Sequence, residues 1–207
     1  MFIRVLPAII ANSQEELDEM LSRINGKLEW VMLDYMDGRF VASKSLMFDT
    51  RLKSGLKYEA HLMVENPSDY LNRLRGRAQV VIIHIESEGF DKAVTEAGTL
   101  GFEVVIAINP GTGLDELEPY LNKVDRVLVM TVEPGRYGSQ FVIEALEKVK
   151  RLRELVPNLP IEVDGAMNPE NVRKAREAGA NIFASGSYLM KSSDIQKALK
   201  TLIEATN

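Results

Sequence analysis

Short apolar runs and amphipathic helical patterns alternate along this chain from end to end, and that alternation limits its fold more than any other feature. The runs are Ile3 to Ile10, Glu29 to Met36, Lys57 to Val64, Ala78 to Ile85, Phe102 to Ile108, Asp125 to Val132, Ile161 to Val163 and Asn181 to Ala184. Most are near-continuously apolar, as expected of strands covered on both faces. Ser13 with Glu16 three residues later begins the first helix as a capping box. After the second run a long loop leads to a helix ending near Gly55. Asn66-Pro67-Ser68 opens the next helix, and the one after it stops around Gly98 to Gly101. The turn Asn109-Pro110-Gly111 leads into Leu114 to Leu121, Gln140 to Leu155 is the most regular helical stretch, Asn168-Pro169-Glu170 starts the seventh helix, and Ile195 to Ala205 closes the chain. Strand and helix in strict alternation require a parallel sheet. Eight such units in 207 residues, without a linker or a composition break, predict one α/β domain over residues 1–207, a closed (β/α)8 (TIM) barrel. An open doubly wound sheet fits the number and length of the units less well.

Composition narrows the function classes. A hydrophobic share of 45% and a charged share of 27% are those of a soluble globular protein. The net charge of −5 argues against nucleic acid as the main partner. With no cysteine, disulfides, thiolate metal sites and cysteine nucleophiles are excluded. The opening stretch Met1 to Ala11 is too short for a membrane span and has only Arg4 as a positive charge, so the expectation is a cytoplasmic protein that does not engage a membrane.

Polar residues collect where strands end, which is where a barrel carries its chemistry. Met32, Asp34 and Met36 share one face of the second strand, and His61 and Met63 one face of the third. Asp164 ends the seventh. Taken singly, an Asp before Gly reads as a turn residue, a buried His as a hydrogen-bonded core group, and Met36, Met63 and Met130 as gap fillers. His84, at the end of the fourth strand, reads as structural. Together, two carboxylates and an imidazole in one confined mouth need a cation or a substrate to meet them. Glycines mark the other side of the mouth: Gly135, Gly138 and Ser139 after strand six, Gly165 after strand seven, Gly186 and Ser187 after strand eight. Backbone N–H groups of such loops can cradle a phosphate. Gly111-Thr112-Gly113 lacks the third glycine of a dinucleotide loop, since position 116 is Glu.

Several strings of the chain resemble the ribulose-phosphate 3-epimerase family along nearly its whole length: Leu33-Asp34-Tyr35-Met36-Asp37-Gly38-Arg39-Phe40-Val41, His61-Leu62-Met63-Val64-Glu65-Asn66-Pro67, Asn109-Pro110 followed by Thr112, Met130-Thr131-Val132-Glu133-Pro134-Gly135, and Glu162-Val163-Asp164-Gly165. The resemblance implies an isomerase that inverts C3 of a small phosphorylated ketose, with ribulose 5-phosphate and xylulose 5-phosphate as the expected pair. It implies Asp34 and Asp164 as paired acid and base, and Asp34, His61 and Asp164 as ligands of a divalent metal (Zn, Mn or Fe). Met36, Met63 and Met130 would pack beside the reacting centre, and the glycine loops would take the phosphate. Members of the family commonly form symmetric homo-oligomers. The chemistry needs such a set: one carboxylate removes the proton, another returns one from the opposite face, and a Lewis acid stabilises the enediolate between.

Two positions depart from the family pattern. Met32 stands where a fourth, histidine ligand is usual, and a thioether suits a hard cation poorly. Ala8 stands where a serine is usual. Arg136, Tyr137 and Ala166 are smaller departures. Two other readings follow: an epimerase for a different ketose phosphate, such as allulose 6-phosphate, or a sugar-phosphate binder without activity. The barrel decarboxylases and synthases that use D-x-K-x-x-D are disfavoured, because Glu59-Ala60-His61-Leu62-Met63 has no such lysine.

Overall fold

The computed structural model describes residues 2–24 and 26–207. Its elements are β1 (Arg4–Ile9), α1 (Gln14–Ile24), β2 (Trp30–Asp37), β3 (Lys44–Ser45), β4 (Lys57–Met63), α2 (Ser68–Leu74), β5 (Val80–His84), α3 (Phe90–Thr99) and β6 (Glu103–Ile108). They continue with β7 (Arg126–Met130), α4 (Ala145–Leu155), β8 (Ile161–Asp164), α5 (Pro169–Ala178), β9 (Ile182–Ser185), α6 (Ser187–Met190) and α7 (Ile195–Glu204). Parallel pairing runs from β1 through β2, β4, β5, β6, β7, β8 and β9 and returns to β1, so the expected eight-stranded barrel is closed. Closure leaves no unpaired edge in the parallel sheet. The two-residue β3 hangs antiparallel on the end of β2. No helix among the described residues is long and apolar enough to cross a membrane.

Local chemistry sets the helix starts. The Ser13 hydroxyl accepts the Glu16 N–H at 3.2 Å, and the Glu16 carboxylate accepts the N–H of Asn12 at 2.7 Å. This is a capping box whose return bond falls one residue early. Asn168 caps α5 by accepting the Asn171 N–H at 3.0 Å, with Pro169 in the first turn.

Three helical expectations change. No helix lies between β2 and Gly55: Leu46 adopts a left-handed φ of 56°, and Ser45 and Lys44 pair with Met36 and Asp37, so the chain crosses this gap as an extended loop. That loop still covers the barrel, because Leu46 is buried in the outer core with Met47 and Phe48 against it. Leu114 to Leu121 forms two 3-10 turns, Leu114–Glu116 and Glu118–Tyr120, since Pro119 cannot supply the N–H a continuous helix needs. Helix α4 begins at Ala145, not Gln140, because the Val142 N–H is taken by the Thr131 carbonyl beyond β7.

Alternation along each strand divides the apolar residues into two cores. Outward side chains form a large cluster with the helices, while Leu6, Met32, Ile82, Leu128 and Ile182 fill the barrel interior. Below that interior layer, Arg126 closes the bottom. Its guanidinium lies 3.0 Å from Glu59, 2.7 Å from Glu162 and 2.6 Å from Glu103, and Arg4 reaches Glu59 at 3.2 Å. Arg126 is 1% exposed, and these carboxylates offset the cost of burying its permanent charge. Burial, and then the negative Glu59 nearby, push Glu162 well above the usual carboxylate range, with Arg126 opposing.

Replacing Arg126 by methionine would leave Glu162 without a cation and Glu59 with Arg4 alone. Unfolding in urea should show a loss of about 3–5 kcal/mol, the usual cost of removing one partner of a buried ion pair. A variant as stable as the parent would mean that the charges at the base are not what closes it.

Candidate active site

Strand register decides which polar groups meet above the interior layer. Parallel pairing of β2 with β4 sets Asp34 beside His61, and pairing of β7 with β8 sets Met130 beside Asp164. Residues two apart share a face, so inward-facing Met32 and Glu162 one step below set Asp34 and Asp164 pointing inward too. Asp34, His61 and Asp164 are all buried. His61 Nδ1 lies 3.1 Å from Asp34 Oδ1 and 3.6 Å from Asp164 Oδ2. One oxygen or nitrogen from each of the three residues falls within 4.8 Å of the others.

A relay behind His61 determines how it can act. Its Nε2 is 2.9 Å from Nε2 of His84, and His84 Nδ1 is 3.2 Å from Glu86 Oε2. The other Glu86 oxygen accepts the Asn109 N–H at 2.8 Å and the Thr112 hydroxyl at 2.5 Å. Lys148 fixes this loop by donating to the carbonyls of Asn109, Pro110 and Thr112. Burial works to raise the Glu86 carboxyl, but the contacts from His84, Thr112 and Asn109 bring it below the usual range. Burial, aided by the neighbouring His61 charge, pushes His84 down to about 4 against the pull of Glu86. Neutral His84 therefore keeps its hydrogen on Nδ1, facing the carboxylate, and accepts at Nε2. His61 must then carry a hydrogen on Nε2.

Only Nδ1 of His61 is left to face the two aspartates. With that nitrogen bare, three acceptors share one point and nothing donates between them, so a proton or a metal cation has to lie there. In the protein alone the proton serves: burial depresses His61, yet the Asp34 hydrogen bond and the charges of Asp34, Asp164 and Glu59 bring it above its ordinary value. Burial and the adjacent Asp34 charge push Asp164 up to about 7, with His61 opposing. Two aspartates and an imidazole also form a sound donor set for a divalent cation, at the three-ligand count of catalytic zinc sites. Met32 does not join them on the polar side; it packs in the apolar interior with Leu6 and Ala8.

The loops after β7, β8 and β9 converge on one cavity. Asp34, Asp164, Met63 and Met130 face a small cavity of about 40 Å³. Gly135, Gly138 and Ser139 reach it from the loop after β7, Gly165 from the loop after β8, and Gly186 and Ser187 from the loop after β9. His61 is fully buried behind the aspartates, off the cavity wall. Met36 is off the wall too: it packs with Val41 and Met63 beside Ile10 and Phe40. Glu86 escaped the sequence reading, although its place two residues after a strand-end histidine puts both on one side of the chain. Tyr137 also lines the cavity, and no local pattern foretells its contacts 129 residues away at Ala8.

Comparison with known proteins agrees with this geometry. A family model described as the ribulose-phosphate 3 epimerase family matches residues 4–190. A ribulose-phosphate 3-epimerase, cytoplasmic isoform, of Oryza sativa subsp. japonica is 34% identical, covering 96% of this chain and 90% of its own. A ribulose-phosphate 3-epimerase of Schizosaccharomyces pombe is 30% identical over 96% of this chain and 92% of its own. Among solved structures, 3-hexulose-6-phosphate synthase from Salmonella typhimurium superposes with a TM-score of 0.72 at 11% identity, covering 99% of this chain and 98% of that one. Thiamine phosphate pyrophosphorylase from Pyrococcus furiosus gives 0.64 at 15% identity, covering 99% and 95%. At these identities the two structures speak for the barrel alone.

The relay predicts how the cluster responds to a cation. Calorimetric titration with Zn²⁺ or Mn²⁺ should show one strong site, and Glu86→Gln should weaken it about 10–100-fold by loosening the orientation of His61. Unchanged affinity in Glu86→Gln would show that His84 and Glu86 only fill space.

Proposed function

The chain belongs to the ribulose-phosphate 3-epimerase family, and from that premise we propose that it inverts C3 of a ketose phosphate, with ribulose 5-phosphate and xylulose 5-phosphate as the pair. The observation that carries this reading is the placement of two buried aspartates, on β2 and β8, within reach of one another at the floor of one cavity. Inversion at a carbon next to a ketone needs a base on one side and an acid on the other. Asp34 and Asp164 fill those roles and exchange them for the reverse reaction. Adjacent carboxylates resist joint ionisation, so the pair favours one charged and one protonated member.

Each carboxylate has two oxygens, so one can face His61 Nδ1 while the other faces the sugar. Asp34, His61 and Asp164 would hold a divalent cation between them. When bound, it supplies Lewis-acid stabilisation of the negative charge that grows on the substrate oxygens. His84 and Glu86 hold the imidazole in the tautomer that leaves Nδ1 free. Met63 and Met130 give a dry, polarisable wall beside the carbon. The phosphate goes to the opposite wall, where Gly186, Ser187 and Gly138 lie, and Ser187 opens α6 there. The cytoplasm as the place of action belongs to the same proposal, in keeping with the rice relative named a cytoplasmic isoform.

Ala8 and Tyr137, both on the cavity wall, favour a second substrate reading, epimerisation of another ketose phosphate such as allulose 6-phosphate. Relative kcat/KM across pentulose and hexulose phosphates separates the two.

Exchange of the C3 proton with heavy water, followed by NMR, tests the chemistry itself. The parent protein should exchange that proton on its preferred ketose phosphate. Asp34→Asn and Asp164→Asn should each abolish epimerisation, a fall of at least about 10²-fold for loss of a general acid or base. Near-parental turnover in either variant would remove that aspartate from the mechanism, and a parent that binds the sugar without exchange would be a binder only.

A further inference from the structure

The loop between β7 and α4 contains a residue for which the proton transfer has no use. Tyr137 lies there with its ring against Gly186 and its hydroxyl over the end of β1. That hydroxyl donates to the Ala8 carbonyl at 2.7 Å and accepts the Ile10 N–H at 3.0 Å. A Cβ built on Gly186 would stand 2.5 Å from Tyr137 Cε1, so the ring already fills the space a side chain would need. Gly186 is therefore small for the tyrosine's sake, whatever else it does.

Among the described residues, the two bonds at the Tyr137 hydroxyl are the only hydrogen bonds joining residues 133–141 to another segment. The remaining one in this stretch, from the Ser139 hydroxyl to the Arg136 carbonyl at 3.3 Å, is internal. Gly135 and Gly138 flank the tyrosine with φ of 113° and 85°, backbone that glycine adopts freely and that gives the segment a hinge on either side. Phe141 and Val41 pack at the two ends of the stretch, so the middle of the loop opens when the tyrosine's hydrogen bonds let go.

The cavity behind it has the wrong size for a sugar phosphate. Its volume of about 40 Å³ admits a few waters, whereas sites that enclose small ligands run to roughly 300 Å³ or more. Removing the Tyr137 ring from its place between Ala8 and Gly186 is the change that would enlarge it toward the glycine loops.

We infer that Tyr137 gates this site: its hydroxyl latches the loop shut onto β1, and the phosphate of an entering ligand takes the place of its ring beside Gly186 and Ser187. The inference rests on the ketose-phosphate reading of the cavity and adds the residue that controls entry to it. A closed loop lowers the apparent affinity by the fraction of molecules that are open, and two ordinary hydrogen bonds shift that balance by about tenfold or more.

The test uses the full chain with Tyr137→Phe, which keeps the ring and loses both bonds, and Tyr137→Gly, which loses the ring. Trypsin cleavage after Arg136, exposed within the loop, reports opening, and NMR titration with inorganic phosphate reports the site. Cleavage should be about tenfold faster in Tyr137→Phe, and phosphate should bind about tenfold tighter to both variants than to the parent. Cleavage and phosphate affinity equal to the parent's in Tyr137→Phe would overturn the latch. Faster cleavage with no phosphate bound by any of the three proteins would uphold the latch and overturn the phosphate reading beneath it.

Discussion

Everything in the upper half of this barrel follows from three acceptors directed at one point. Asp34, Asp164 and the Nδ1 of His61 come from β2, β8 and β4, and closure of the sheet leaves them nowhere else to face. In water such a group of charges would be diluted by solvent. Inside a closed sheet, above a dry interior layer, it is an arrangement that only a proton, a metal cation or a reacting substrate can complete. The relay through His84 and Glu86 makes the demand specific, because it occupies the other nitrogen of His61 and removes the alternative tautomer.

The base of the barrel solves the opposite problem. There the interior holds a fixed cation, Arg126, and three strands bring carboxylates to it. Charge at the base is matched within the chain, whereas among the described residues the carboxylates at the mouth have no fixed cation of their own, and the proposed chemistry draws on that difference. Leu, Ile, Val and Met fill the interior around the two networks, yet the Glu59 charge still reaches His61. Glu162 and Asp164, two residues apart on β8, divide between the networks: one joins the plug, the other the site.

The barrel and most of its site were legible in the sequence because both depend on local periodicity. Alternation by two put Asp34 on the inner face with Met32, and strand order made His61 its neighbour. The resemblance to a family then supplied roles that spacing alone could not. What stayed hidden was decided by contacts between distant segments. Leu46 turns left-handed only because the end of β2 pairs with Ser45, so the missing helix before Gly55 left no mark in the residues themselves. Arg126 at the start of a strand reads as a surface residue until Glu59, Glu103 and Glu162 arrive from three other strands. Met36 is buried behind Met63, off the wall of the cavity, with Phe40 and Val41 from the following loop packed around it. Pro119 was in plain view, and its missing N–H is enough to account for the broken helix there.

Epimerisation by two aspartates depends on where a cation and the sugar's third carbon come to rest. Crystals grown with Mn²⁺ or Zn²⁺ and a ketose phosphate, with anomalous scattering recorded at the metal's absorption edge, locate both at once. One strong peak should appear bounded by Asp34, His61 Nδ1 and Asp164, with C3 lying between the two carboxylates. A peak elsewhere in the molecule, or both carboxylates on the same side of C3, would contradict that mechanism.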